Sequence, residues 1–403
     1  MSRSSHPSFA LSLLATVLLL AGCATETSYQ SVPFTGDPVV DGNAHLAVAP
    51  AKDKALWEYR VAASALRRGL FDEAKTKLDD ALSLVAANYG NISAEAAKSR
   101  RMFRNESDKP FVGEPYERVM ANYYRGILYW HDGEPDNARA LFRSGQLLDS
   151  DATDKTYAGD YVLLDYLDGL VTAKLGGDGS DALARARASA KQQARMALPD
   201  YNPKSNVMLF VEYGNGPRKY KGGEYGEQLK FFTEQSKVRS ARIEVDGRRV
   251  SLPPYDDLGF QATTRGGRLM DHVLGNKAVF KQTTDTVGDV ALMGAMMTAG
   301  HGSRDGDRAA LGLAAVGLIS KIASSATTPE ADIRTWDNLP QSLSFAALQL
   351  APGDHPATLE FLDASGQPIV WLTQKVTITV QPPEPGVGGR AADVVLFLSE
   401  AKN

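Results

Sequence analysis

Two segments of this chain repeat one another at an offset of 64 residues. Gly69, Ala74, Leu78 and Ala81 in the first are matched by Gly133, Ala138, Phe142 and Gly145 in the second. Apolar and small residues spaced by three and four mark one face of a helix. A glycine just before that face marks the turn that ends the preceding helix. Self-similarity on this scale restricts a chain to stacked supersecondary units, because one unit cannot bury its apolar face alone. The segment from Ala51 onward is therefore predicted to fold as antiparallel helix pairs.

Each copy carries small residues upstream of its turn: Ala62 and Ala65 in the first, Gly126 in the second, where Tyr129 follows three residues later. Residues 88–118 interrupt the pattern with a basic cluster, Lys98, Arg100, Arg101 and Arg104, and a loop between Pro110 and Pro115. A third, degraded unit is predicted over Tyr161 to Leu198, with its turn at Gly176-Gly177-Asp178-Gly179-Ser180. The G-x2-Y pair and the A-x3-F pair (Ala138, Phe142) resemble the tetratricopeptide repeat. That resemblance implies a curved array over residues 51–204 whose concave face binds a protein segment. Tyr59, Tyr123 and Tyr124 lie on predicted first helices and are the candidate contacts, tyrosine being suited to interfaces by its apolar body and polar tip.

The second half changes character. Asn206 to Tyr213 is β-branched and aromatic, and Ala241 to Leu252 reads as two strands around Asp246-Gly247, a pair suited to a type I′ turn. Residues 256–330 read as mostly helical. Strands are predicted at Leu343–Leu350, Ala357–Phe361, Ile369–Leu372, Val376–Val380 and Val394–Leu398. The expected fold is α+β: the helical array, a mixed region over 205–340, and a sandwich-like β domain over 341–403. Within 205–340, two Gly/Ala-rich runs between Val287 and Ile322 suggest a helical hairpin, buried or used for oligomer or membrane contact. Arg334 and Trp336 can stack as a cation–π pair. They serve either to staple a linker onto the β domain or as an exposed recognition site.

Composition narrows the function. The 403 residues include 44 Lys and Arg against 48 Asp and Glu, a formal charge of −4, so no overall basic field attracts nucleic acid. Between Arg218 and Arg249, however, nine basic residues face five acidic ones. The histidines form no metal-ligand pair, and no phosphate-binding loop, dinucleotide fingerprint or nucleophile elbow is present. Neither metal nor cofactor is expected, and the chain reads as non-catalytic. An envelope-polymer hydrolase is the least favoured alternative.

The single cysteine supplies the address. A short polar start bearing Arg3 leads into an apolar run, Phe9 to Ala21, too short to span a bilayer, and the run ends Leu20-Ala21-Gly22-Cys23. These four residues are similar to the lipobox of bacterial lipoproteins. The resemblance implies a signal peptide over 1–22, acylation of Cys23 and, with Ala24 rather than aspartate in the next position, sorting to the outer membrane. Residues 23–50 then read as a lipidated tether. Buried acyl methylenes contribute ~0.8 kcal/mol each, so two or more chains anchor stably.

Leu209-Phe210-Val211-Glu212-Tyr213-Gly214 and Ala331-Asp332-Ile333-Arg334-Thr335-Trp336 follow the lipobox and repeats in an order similar to a poorly characterised family of proteobacterial lipoproteins. Genes of that family often lie near those of LpoB-like activators of penicillin-binding proteins. The resemblance implies a periplasm-facing scaffold or adaptor in envelope biogenesis. Its partner would be a penicillin-binding protein, its activator lipoprotein or an export complex. A structural part of an outer-membrane export complex is the alternative. Replacing Cys23 by serine is expected to abolish labelling by palmitate in growing cells and to move the protein out of the membrane fraction.

Overall fold

The computed structural model describes residues 31–90, 106–150, 158–193, 198–223, 226–264, 331–382 and 392–401. Cys23, Ala24, the 98–104 basic cluster and the Gly/Ala-rich runs over 287–322 lie outside them. The fold is α+β, with helices in the N-terminal half and sheets in the C-terminal half.

Three helix pairs follow one another: α2 (Lys54–Arg67) with α3 (Phe71–Gly90), α4 (Pro115–His131) with α5 (Pro135–Asp149), and α6 (Val162–Lys174) with α7 (Ser180–Gln192). The three turns share one geometry. Gly69, Gly133 and Gly176 each have positive φ, at 73°, 81° and 85°. In each turn the next residue's N–H reaches five residues back: Leu70 to Ala65, Glu134 to Tyr129 and Gly177 to Thr172, all at 2.9 Å. This is the Schellman ending, which only a residue tolerant of the left-handed region allows at low cost. The 64-residue offset thus marks equivalent turns, and the degraded third unit is the same device.

Small residues act where the spacing placed them. A Cβ on Gly126 would stand 2.6 Å from the Phe142 ring, and one on Gly145 would stand 2.9 Å from Leu164. Ala74, Leu78, Ala81, Ala138 and Phe142 are fully buried.

The tether is shorter than expected. Residues Pro38–Val48 form helix α1, whose N-cap Asp37 accepts from the N–H groups of Val39 and Val40, with Pro38 in the first turn. An Asp-Pro start is a strong helix signal, since the cap satisfies orphan donors and proline's φ already suits the helix. Gly42 lets α1 lie directly on Val61 of α2.

The strands are β1 (Val207–Tyr213), β2 (Pro217–Gly222), β3 (Gln228–Thr233), β4 (Ser240–Val245), β5 (Arg248–Leu252), β6 (Asp256–Asp257), β7 (Ser342–Leu348), β8 (Gly353–Leu362), β9 (Gln374–Val380) and β10 (Val394–Ser399), with the short helix α8 (Leu258–Thr263) after β6. A first sheet has the order β10-β1-β7-β6, a second the order β5-β4-β8-β9, and β2–β3 form a ribbon. Each four-stranded sheet draws strands from both sides of residue 341. β1 pairs with β7 and β10, and β4 pairs with β8. A self-contained β domain over 341–403 therefore does not exist, and neither does a separate 205–340 region. The reason is β1, which is buried along its whole length and must be covered on both faces. The predicted strand Ile369–Leu372 is instead a 3-10 turn, Val370–Leu372. The hairpin at Asp246-Gly247 forms as expected, with φ of 49° and 71°.

The result is three layers. Met208 and Phe210 of β1 join the helical core, while Val207, Leu209, Val211 and Tyr213 join the core between the sheets. β4 alternates buried and half-buried residues, with one face inward and Arg242 paired to Glu360 on the other.

One polar cluster crosses the helix–sheet seam. Glu212, on the helix-facing side of β1, accepts from Arg67 Nε at 2.5 Å, Tyr124 Oη at 2.5 Å and Ser399 Oγ at 2.7 Å. It is 1% exposed. Removing one member of such a pair strands the other charge in a low-dielectric interior. Glu212→Gln keeps the volume and removes the charge. It is expected to lower unfolding free energy by about 3–5 kcal/mol, measured by urea denaturation.

Candidate binding cleft

The sequence-predicted contact tyrosines are not on an open face. Tyr59, Tyr123 and Tyr124 are each at most 1% exposed, as is Trp336. Tyr59 stacks on Trp336 at 4.4 Å, Tyr123 meets Phe210 edge-on at 6.1 Å, and Tyr124 meets Phe397 at 5.8 Å. The inner face of the helical array is filled by the first sheet and by the segment before β7. These four residues are core and not a partner-binding surface. Tyr129 is partly buried and lies under the Arg125 guanidinium at 3.7 Å, an arrangement held by the Arg125–Asp79 pair.

The segment 331–337 is held between the helices and β2, and a cleft of about 370 Å³ opens beside it. The start of α2 supplies Asp53, Leu56, Trp57 and Arg60; β2 supplies Arg218 and Lys219; the segment itself supplies Ile333, Arg334, Thr335 and Asp337. Trp57 and Arg60 are three apart on α2 and so share one face. Trp57 stacks on His45 at 4.6 Å, and the Arg60 guanidinium lies over it at 4.6 Å.

Two charged pairs build the floor. Lys219 Nζ donates to Glu117 at 2.6 Å and to the Arg334 carbonyl at 2.8 Å. Glu117 also accepts from the Trp336 N–H at 2.8 Å and the Glu114 N–H at 2.6 Å. Arg334 donates to Asp53 at 2.7 Å, to Asp332 at 2.6 Å and to the carbonyls of Lys52 and Lys109. Burial pushes the Asp332 carboxyl up, but the Arg334 guanidinium outweighs this and leaves it below the usual carboxylate range. Arg334 and Trp336 do not stack on each other: Arg334 lies over Phe111 at 5.6 Å. The stretch does not staple a linker onto a separate β domain: it is tied both to the helical array, through Asp53, Lys52 and Lys109, and to β2, through Lys219.

The rim is looser. Asp337 is shared by two guanidinium groups, Arg60 Nε at 2.8 Å and Arg218 Nη1 at 3.7 Å. The Arg218 side chain is 46% exposed, Asp337 39% and Ile333 44%. The sequence marks Arg334, and Arg218 as the edge of a basic stretch, but does not by itself mark Trp57, Arg60 or Asp337 as site residues. The available signals were the Trp57–Arg60 spacing and the alternation of Arg218 with Lys219 on a strand. Nothing in the linear order brings residues 57, 218 and 337 together.

A second titratable cluster lies at the seam of α5, α6 and β6. Asp149 accepts from the N–H groups of Gly159 and Asp160, Asp160 accepts from Gln261, and Asp256 caps α6 through Val162 and Leu163. Burial, then the neighbouring Asp160 carboxylate, push Asp149 up to about 7. Among the described residues no group of three or more His, Cys, Asp or Glu could hold a metal ion, and no helix is long and apolar enough to cross a membrane.

No family model matches this sequence, and comparisons with curated proteins and with solved structures give no match.

An acid whose pKa is raised by folding stabilises the native state while protonated. That contribution is complete at low pH and is lost as pH rises through about 7. Asp149→Asn keeps an acceptor for the two N–H groups. Its melting temperature is expected to exceed that of the parent at pH 8, the gap narrowing as pH falls from about 7 toward the ordinary carboxyl value of 3.8, in thermal melts across that range.

Proposed function

We propose that this protein is a non-catalytic adaptor of the cell envelope, lipid-anchored through Cys23 to the outer membrane and facing the periplasm. Its helix pairs are read as tetratricopeptide-like repeats, a reading supported by the same glycine-ended turn at Gly69, Gly133 and Gly176. The array then acts as a platform for its own sheet and not as the receptor for a partner. Partner binding is assigned to the cleft bounded by α2, β2 and residues 331–337. The observation that carries this reading is the residue set there: a half-buried Trp57, Arg60 and Arg218 at the rim, and exposed Ile333, over a floor fixed by buried ion pairs. Tryptophan and arginine dominate binding energy at protein interfaces, and a rigid floor lowers the ordering cost of binding. The partner is proposed to be a penicillin-binding protein, its lipoprotein activator or an export complex, consistent with an anchor that concentrates the protein at the membrane.

Site-specific photocrosslinking tests this. A photoreactive residue in place of Ile333 is expected to give a discrete adduct with one envelope protein in living cells. The same residue at Lys375, exposed on the far sheet, is expected to give none. Adducts at neither position, or equally at both, would remove the cleft as the binding site.

A further inference from the structure

The mouth of the cleft does not end at Arg218. That residue also belongs to the outward face of the β2–β3 ribbon, where strand alternation sets Arg218 opposite Phe232 and Tyr220 opposite Lys230. All four are exposed, and the Tyr220 and Phe232 rings meet at 6.0 Å. The remaining positions of that face, Gly222 and Gln228, are uncharged. Among the described residues of the rim and the ribbon face, Arg60, Arg218 and Lys230 stand beside Asp337, while Asp53, deeper in the cleft, is paired with Arg334. The protein as a whole is acidic, at −4, so this positive track is a local departure from its charge.

Resting on the adaptor reading, we infer that the rim and the ribbon form one continuous site for an acidic, extended polypeptide segment. The segment's carboxylates pair with Arg60, Arg218 and Lys230, and its apolar side chains pack on Ile333, Tyr220 and Phe232. Guanidinium forks match carboxylates in a bidentate geometry, as they do phosphates, so the choice of ligand rests on the apolar contacts. The two exposed rings and Ile333 give alternating apolar contacts that a bare polyanion would leave unused. An extended ligand meets such a ribbon with alternate side chains facing it, as these contacts require. Because Arg218 and Lys230 are exposed, the attraction weakens with salt.

The test uses the mature, lipidated chain in detergent and a fluorescent peptide of alternating glutamate and leucine, read by anisotropy. The expected result is saturable binding. It should weaken at least tenfold when glutamine replaces glutamate in the peptide, and at least tenfold in Arg218→Glu with the urea midpoint unchanged. Equal binding of the glutamine peptide, or an unaffected Arg218→Glu, overturns the inference. Polyphosphate binding as tightly as the peptide also overturns it and assigns the track to an anionic polymer. Failure of the peptide to bind overturns it too. Adducts from position 333 decide the adaptor reading separately: if they form and persist in Arg218→Glu, the adaptor stands and the acidic segment falls.

Discussion

The fold depends on strand β1 being buried on both faces. A strand with one apolar face can close a sandwich; a strand with two needs a cover on each side. The second sheet covers Val207, Leu209, Val211 and Tyr213, and the helix pairs cover Met208 and Phe210. Glu212 is the one charged residue of that strand, and it is met by Arg67 from α2, Tyr124 from α4 and Ser399 from β10. Three separate elements thus converge on one carboxylate. A buried charge of this kind is costly unless every partner is in place, so the cluster penalises any docking of helices and sheet other than the observed one.

That docking reassigns the roles of the helical array. Stacked helix pairs ordinarily leave a concave face for a ligand. Here the face is occupied by the protein's own sheet and by Trp336, which stacks on Tyr59. Residues that would be contacts in an open array become core, and the open cleft lies instead at the seam where helices, ribbon and the 331–337 segment meet. The buried Lys219–Glu117 pair and the half-buried Arg334–Asp53 pair form the floor of that seam, while Arg60 and Arg218 share Asp337 at its mouth.

Local signals suffice where a short segment dictates its own conformation. Gly69, Gly133 and Gly176 end helices because their neighbours demand positive φ, and Asp246-Gly247 turns a hairpin for the same reason. Gly126 was legible as a close approach, and Phe142 fills the space it leaves. Misreadings arose where the deciding partner is distant. Residues 38–48 are not tether for a local reason as well as a distant one: Asp37-Pro38 starts a helix, and Gly42 seats it on Val61. Ile369–Leu372 has strand composition but closes the turn before β9 as a 3-10 segment. The ribbon β2–β3, rich in charge, carries no apolar run to mark it.

The sequence alone determined the helix pairs, their glycine-ended turns, the α-to-β order of the chain and the resemblance of Cys23 and its neighbours to a lipid-attachment signal. Each depends on residues within one or two turns of each other. Tertiary structure alone decided that each four-stranded sheet draws strands from both sides of residue 341, that Tyr59, Tyr123, Tyr124 and Trp336 are interior, and that Trp57, Arg60, Arg218 and Asp337 meet. Spacing along a chain specifies which face of an element is apolar, but not which other face will cover it. That choice rests on burying both sides of β1 at once and on satisfying Glu212 with partners as much as 187 residues away.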